Sequence, residues 1–298
     1  MRELVEQLLA AKRPKAALGA ARLQIEKLDS PLIVRLLKDV ATTSSEHDSN
    51  IRFQGYEFSR AFEVLDDRAD VSADELAHLE FLYLSALQHE KRGIPNLERQ
   101  LAENPGLFAQ AVGLSYSRKD QGEDPPEWQI SNEEARASAG TLAYWLLHRA
   151  KRIPGTGNDG KIDAAKLKAW LREARALCKT YGRELAGDNS IGELLSKSGC
   201  DEDGLWPAAA VRDALEEFGN QAIAEGMAVG LYNQRGVHRR DVGGKQEREL
   251  AATYRGGSKQ TAFEWPFTSR LLERIAQSYD RDAEWHDTAA NLRKRLPY

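Results

Sequence analysis

Leu167-Lys-Ala-Trp170-Leu171-Arg-Glu-Ala174-Arg-Ala-Leu177 decides the fold class. Its apolar residues Leu167, Trp170, Leu171, Ala174 and Leu177 recur three and four positions apart, so they line one face of a helix with 3.6 residues per turn. The same spacing returns at Leu4, Leu8 and Ala11, at Leu32, Leu36 and Val40, and at Leu142, Leu146 and Ala150. Runs of β-branched residues in strict alternation are almost absent, so strands are at most incidental.

Punctuation between the stripes supports this reading. Ten prolines occur, and Pro14, Pro95, Pro154, Pro207 and Pro266 fall between periodic segments. Ser30-Pro31 and Asn104-Pro105 set a capping side chain before a proline at the first helical position. Ser72 with Glu75, and Ser131 with Glu134, have the spacing of a capping box. The early helices are expected over residues 3–10, 14–27, 31–43, 50–67 and 73–90. Short helices joined by tight turns predict an all-α fold, an irregular α-solenoid or an array of antiparallel helix hairpins. No 34-residue tetratricopeptide consensus is visible. Gly122-Glu-Asp-Pro-Pro126 divides the sequence into N-terminal hairpins over 1–122 and a C-terminal helical region over 127–298, expected to pack against them.

The 298 residues suffice for a substantial core, with 41% hydrophobic and 30% charged residues. A net charge of −4 argues against wholesale nucleic-acid binding but leaves room for a local basic patch. Cys178 lies in an apolar helical run and Cys200 beside a turn, and low cysteine usage suits a reducing compartment. No stretch approaches 18 apolar residues, so no membrane contact is expected and the location read from the sequence is cytoplasmic. Met1 leads directly into an amphipathic pattern, which fits a piece of a longer polypeptide as well as a whole one.

Chemistry is sparse. Two Asp-Gly loops, Asn158–Asp163 and Glu202–Pro207, invite comparison with a calcium-binding hand. Aligned on Gly160, the loop has Gly155 first, Gly157 third and Lys166 twelfth; aligned on Gly204, it has Gly199 first and Ala210 twelfth. The carboxylates that would neutralise Ca²⁺ are missing, and Asp-Gly turns followed by helix caps explain the residues. His47, His78, His89, His148, His238 and His286 form no metal-ligand spacing, so no metal site and no cofactor are expected. In Glu284-Trp285-His286-Asp287 adjacent side chains point apart, which reads as a solvated face. Trp128, Trp145, Trp170, Trp206, Trp265 and Trp285 read as core anchors.

Asn233-Gln-Arg-Gly-Val-His-Arg-Arg-Asp-Val-Gly-Gly-Lys-Gln-Glu-Arg-Glu-Leu250 stands apart. Arg235, His238, Arg239, Arg240, Lys245 and Arg248 are interleaved with Gly236, Gly243 and Gly244, and a helix is expected just after the paired glycines. Unpaired N–H groups and the helix dipole make such a start a seat for an anion, although the glycines match neither phosphate-loop pattern. The structural alternative pairs Arg235, Arg239 and Arg248 with acidic groups of neighbouring helices.

Arg92-Gly-Ile-Pro-Asn-Leu-Glu98, Ile153-Pro-Gly155, Asp203-Gly-Leu-Trp-Pro207, Asn233–His238 and Gly243–Leu250 together resemble the C-terminal helical region of large, uncharacterised bacterial multidomain proteins. The resemblance extends from about residue 75 onward. It implies an accessory module and brings no catalytic residues. The expected function is therefore non-catalytic: a helical-repeat interaction or scaffolding module whose partner is another protein or other domains of the same polypeptide. One alternative is a nucleic-acid-associated module gripping phosphates through 235–248. A second is a divergent enzyme centred on His238 with Asp241, Glu247 or Glu249.

Overall fold

The structure, a computed structural model, describes residues 1–43, 55–87, 90–234 and 243–295. Among these the fold is all-α, and the β-structure is one isolated antiparallel bridge between Thr156 and Ile162. Contacts group the residues into two units, 1–117 with 124–150, and 118–123 with 151–298.

The first unit holds α1 (Arg2–Ala10), α2 (Pro14–Ala21), α3 (Ser30–Thr43), α4 (Gly55–Asp66), α5 (Ala73–Leu82), α6 (Leu84–Leu87), α7 (Pro95–Glu103), α8 (Pro105–Ser115) and α9 (Glu133–Arg149). Its core gathers Ile33, Leu36 and Leu37 of α3 and Phe58, Phe62 and Leu65 of α4, all excluded from solvent. In α1 the buried residues are Val5 and Leu9 and not the Leu4, Leu8 and Ala11 stripe read from the sequence, Leu4 being 46% exposed. The helix expected over 14–27 stops at Ala21 and gives way to a 3₁₀ turn, Ile25–Lys27. The one expected over 73–90 breaks at Tyr83. There the ring packs 4.4 Å from that of Phe58, and the hydroxyl donates to the Leu37 carbonyl at 2.6 Å. Contacts more than twenty residues away fix that position, and no local pattern announces them.

Two caps also differ from expectation. Asp29, not Ser30, accepts from the Leu32 N–H (3.2 Å), while the Ser30 hydroxyl donates to Asp70 (2.8 Å). Asn132, not Ser131, caps α9 by accepting from the Ala135 N–H (2.9 Å). Ser72 and Asn104 cap as read from the sequence. Helix α9 belongs by its contacts to the first unit, whereas the sequence placed it with the C-terminal half. It packs on α8, where Gly140 lies so close that an added Cβ would be 3.0 Å from the Leu114 carbonyl.

The second unit holds α10 (Ala164–Thr180), α11 (Glu184–Leu195), α12 (Ala209–Phe218), α13 (Gln221–Gln234), α14 (Lys245–Thr261) and α15 (Pro266–Arg295). Neighbours in space are not always neighbours in sequence: α11 packs on α13 and α12 on α15, while the consecutive α14 and α15 pack on each other. The α11–α13 contact is closest at glycines. A Cβ on Gly226 would lie 2.1 Å from the Asn189 carbonyl oxygen, and one on Gly192 would lie 2.2 Å from that of Ile223.

Several helices begin on a carboxylate from another helix. Glu80 of α5 accepts from the Leu97 N–H of α7 (2.7 Å), and Glu216 of α12 accepts from Phe267 and Thr268 at the start of α15 (2.9 Å each). Negative charge on first-turn N–H groups satisfies orphan donors and complements the helix dipole. Glu80 also accepts from Arg92 (2.7 Å) and Asn96 (2.9 Å), and Arg92 forks onto Asp66 at 2.6 and 2.7 Å. The Arg92–Glu98 segment thus makes a buried ionic knot in the first unit.

Candidate functional site

The basic stretch is only partly within view. Arg235, His238, Arg239 and Arg240 lie outside the described residues, as does Asp241. Lys245 and Arg248 occupy the first turn of α14. Lys245 extends into solvent, 83% exposed, with Glu249 one turn on at 3.9 Å. Arg248 turns the other way and forms an ion pair with Asp287 of α15.

Asp287 also accepts from the Gly244 N–H at 2.9 Å. The seat for an anion at the start of α14 therefore holds the protein's own carboxylate. The Gly244 N–H and then the Arg248 guanidinium hold the Asp287 carboxyl below the usual carboxylate range. The paired glycines have a structural use. Gly243 adopts φ +93°, and Gly244 packs so tightly on α15 that a Cβ would lie 2.3 Å from the Ala283 carbonyl oxygen.

The Glu284–Asp287 stretch is not the solvated face expected of it. His286 faces α14, its Nε2 lying 3.9 Å from an oxygen of Glu247, which is itself buried. Asp287 faces α14 as well, and Trp285 points away, 66% exposed, so it is no core anchor. Sequence alone places these groups forty residues from their partners.

A second constellation, which sequence reasoning missed, lies around the start of α12. Arg212 is wholly buried, with its guanidinium carbon 4.3 Å from the centre of the Trp265 ring. Its Nη2 donates to Asp203 at 2.5 Å and stands 3.7 Å from Asp201, while Nε and Nη1 have no acceptor among the described residues. The Arg212 hydrogen bond holds the Asp203 carboxyl below the usual range. Asp201 accepts from the Ala209 N–H and so caps α12, and Trp265 is fixed by its indole N–H donating to Asp213 at 2.7 Å. The available signal was the Asp203-Gly-Leu-Trp-Pro207 segment, but nothing in it names a partner nine residues on.

The two Asp-Gly loops are ordinary turns. Asp159 accepts from the Lys161 N–H (3.1 Å), Asp203 from that of Leu205 (2.8 Å), and Asp163 caps α10 through Ala165 and Lys166. Among the described residues no group of three or more His, Cys, Asp or Glu side chains is placed to hold a metal ion. Cys178 is buried, and loss of solvation pushes its thiol up to about 12, which leaves it protonated and unreactive at neutral pH. Cys200 is exposed. Among the described residues no helix is long and apolar enough to cross a membrane. No family model, curated protein or solved structure matches this sequence.

Proposed function

We propose that the protein is a non-catalytic helical module that mediates contact with a protein partner or with other domains of a larger bacterial polypeptide in the cytoplasm. One observation carries this reading. Phe263, in the turn between α14 and α15, is 100% exposed. A phenylalanine left wholly in water adds nothing to the fold, and its burial in a contact contributes on the order of 1.5–3 kcal/mol. Aromatic anchors of this kind dominate protein interfaces. The polar groups point the same way, because Arg92, Arg175, Arg248, Glu80, Asp188 and Asp287 all serve internal ion pairs and helix caps.

The test replaces Phe263 with a photoreactive phenylalanine analogue, with the same analogue at exposed Leu23 as control. A discrete partner adduct at 263, absent at 23, supports the reading; identical adducts from both positions refute it.

Lys245 favours a second reading, in which the start of α14 touches nucleic-acid phosphates. Anisotropy with short DNA and RNA at two salt concentrations separates the two. Salt-sensitive binding weakened in Lys245→Ala favours nucleic acid, because each phosphate contact adds to the salt slope.

A further inference from the structure

The geometry points to a binding site for a carboxylate-bearing ligand at Arg212 and Trp265, held closed in this structure by the protein's own Asp203. Three buried or half-buried arginines allow a comparison. Arg92 forks onto Asp66 and reaches Glu80 and the Gly93 carbonyl, and Arg175 forks onto Asp188 at 2.7 and 3.0 Å. Arg212 is the most deeply buried of them, yet it meets Asp203 through Nη2 alone. A planar guanidinium is built to meet a carboxylate through two parallel N–H groups, so one contact leaves its recognition capacity unfilled. Leaving buried donors without acceptors costs stability, and a group retained at such a cost is a site signature.

The surroundings suit a ligand that enters by displacing a loop. Asp201 and Asp203 both sit on the connection between α11 and α12, with 43% and 42% of their side-chain surface exposed. That connection turns at Gly204, φ +73°. The floor does not share this exposure: Trp265 is pinned by Asp213, and Arg212 belongs to α12 itself. A tethered carboxylate on a surface loop above a fixed Arg–Trp floor competes with any free carboxylate of the right reach. The ligand is an acidic side chain or the terminal carboxylate of a peptide, which present the same two oxygens. Trp265 lies two residues from Phe263 in the same connection, but the test reads carboxylate affinity through Arg212 and Asp203 and does not depend on the Phe263 reading.

The test is calorimetric titration of the full-length protein with two peptides, acetyl-Ala-Glu-Ala-amide and acetyl-Ala-Ala-Ala with a free terminal carboxylate. Asp203→Asn keeps an oxygen for the Leu205 N–H but removes the charge that hydrogen-bonds the guanidinium, leaving Asp201 at 3.7 Å and engaged with the Ala209 N–H. It is expected to bind one peptide at least about tenfold more tightly than the wild type, since affinity scales with the fraction of sites not self-occupied. Which peptide binds identifies the source of the carboxylate. Arg212→Met is expected to abolish the gain in the Asp203→Asn background. Arg212→Lys, which keeps the charge but not the fork, is expected to retain only part of it, and serves if the methionine variant does not fold. Absence of saturable binding in Asp203→Asn, or equal binding with and without the guanidinium, overturns the proposal.

Discussion

Replacing Gly226 with alanine is expected to destabilise the second unit, although alanine is the better helix former. On α13 the new methyl would sit 2.1 Å from the Asn189 oxygen, 2.9 Å from its carbonyl carbon and 3.1 Å from its Cα. All three are backbone atoms of α11, so no rotamer change relieves the clash and the helices must separate. Overpacking of this kind costs about 1–3 kcal/mol, and the helix-propensity gain returns at most about 1 kcal/mol. The net expectation is a loss of about 1–2 kcal/mol, or a fall in Tm of roughly 2–8 °C at about 2–4 °C per kcal/mol for a unit of this size. Gly256 of α14 supplies the control, because a Cβ there meets nothing within 4 Å. Gly256→Ala is expected to raise stability by about 0.5–1 kcal/mol. The assay is thermal and urea unfolding followed by circular dichroism. Gly192 presses on the same contact from the other side, with its Cβ position 2.9 Å from the Gly226 Cα. The double variant Gly192→Ala/Gly226→Ala should therefore cost less than the sum of the singles, since one methyl already parts the helices. If Gly226→Ala proves as stable as Gly256→Ala, the close approach of α11 and α13 is wrong.

Two further outcomes follow from the ionic contacts. Glu80→Ala strands the Leu97 N–H and removes one of the carboxylates on buried Arg92, and is expected to cost about 3–5 kcal/mol in urea unfolding; a loss under about 1 kcal/mol would mean the knot contributes little. Asp287 is held below its usual range, so the stability it contributes is fully present above the unfolded carboxyl value near 3.9 and is lost as pH falls through the lower folded value. The Gly244 amide resonance should accordingly stay constant from pH 7 to about 5 and move only on further acidification, and a flat response in the wild type below pH 3.9, matching that of Asp287→Asn, would contradict the cap.

Much of the local structure was legible because it is locally encoded. Leu167, Trp170, Leu171 and Ala174 form the buried face of α10, completed by Cys178 in place of Leu177, and Ser72 and Asn104 cap the helices that follow them. Side-chain periodicity and capping chemistry act within a few residues, so one sequence suffices to read them. The residues of the basic stretch are consistent with both an anion seat and an internal ion pair. For Arg248 the structure decides for the ion pair, since Asp287 reaches it from thirty-nine residues away.

The sequence by itself determined that this is an all-α protein, where many of its helices start, and that its Asp-Gly loops are turns. Tertiary structure alone decided that α11 meets α13 through Gly192 and Gly226, that α9 joins the first unit, and that Tyr83 interrupts a helix to reach Leu37. It alone brought Arg212 onto Trp265 beneath Asp203, and Asp287 onto the start of α14. The division has a physical cause. Periodicity tells which face of a helix is buried but carries no label for the surface that buries it, whereas close approach, ion pairing and trans capping depend on groups that meet only once the polypeptide has packed.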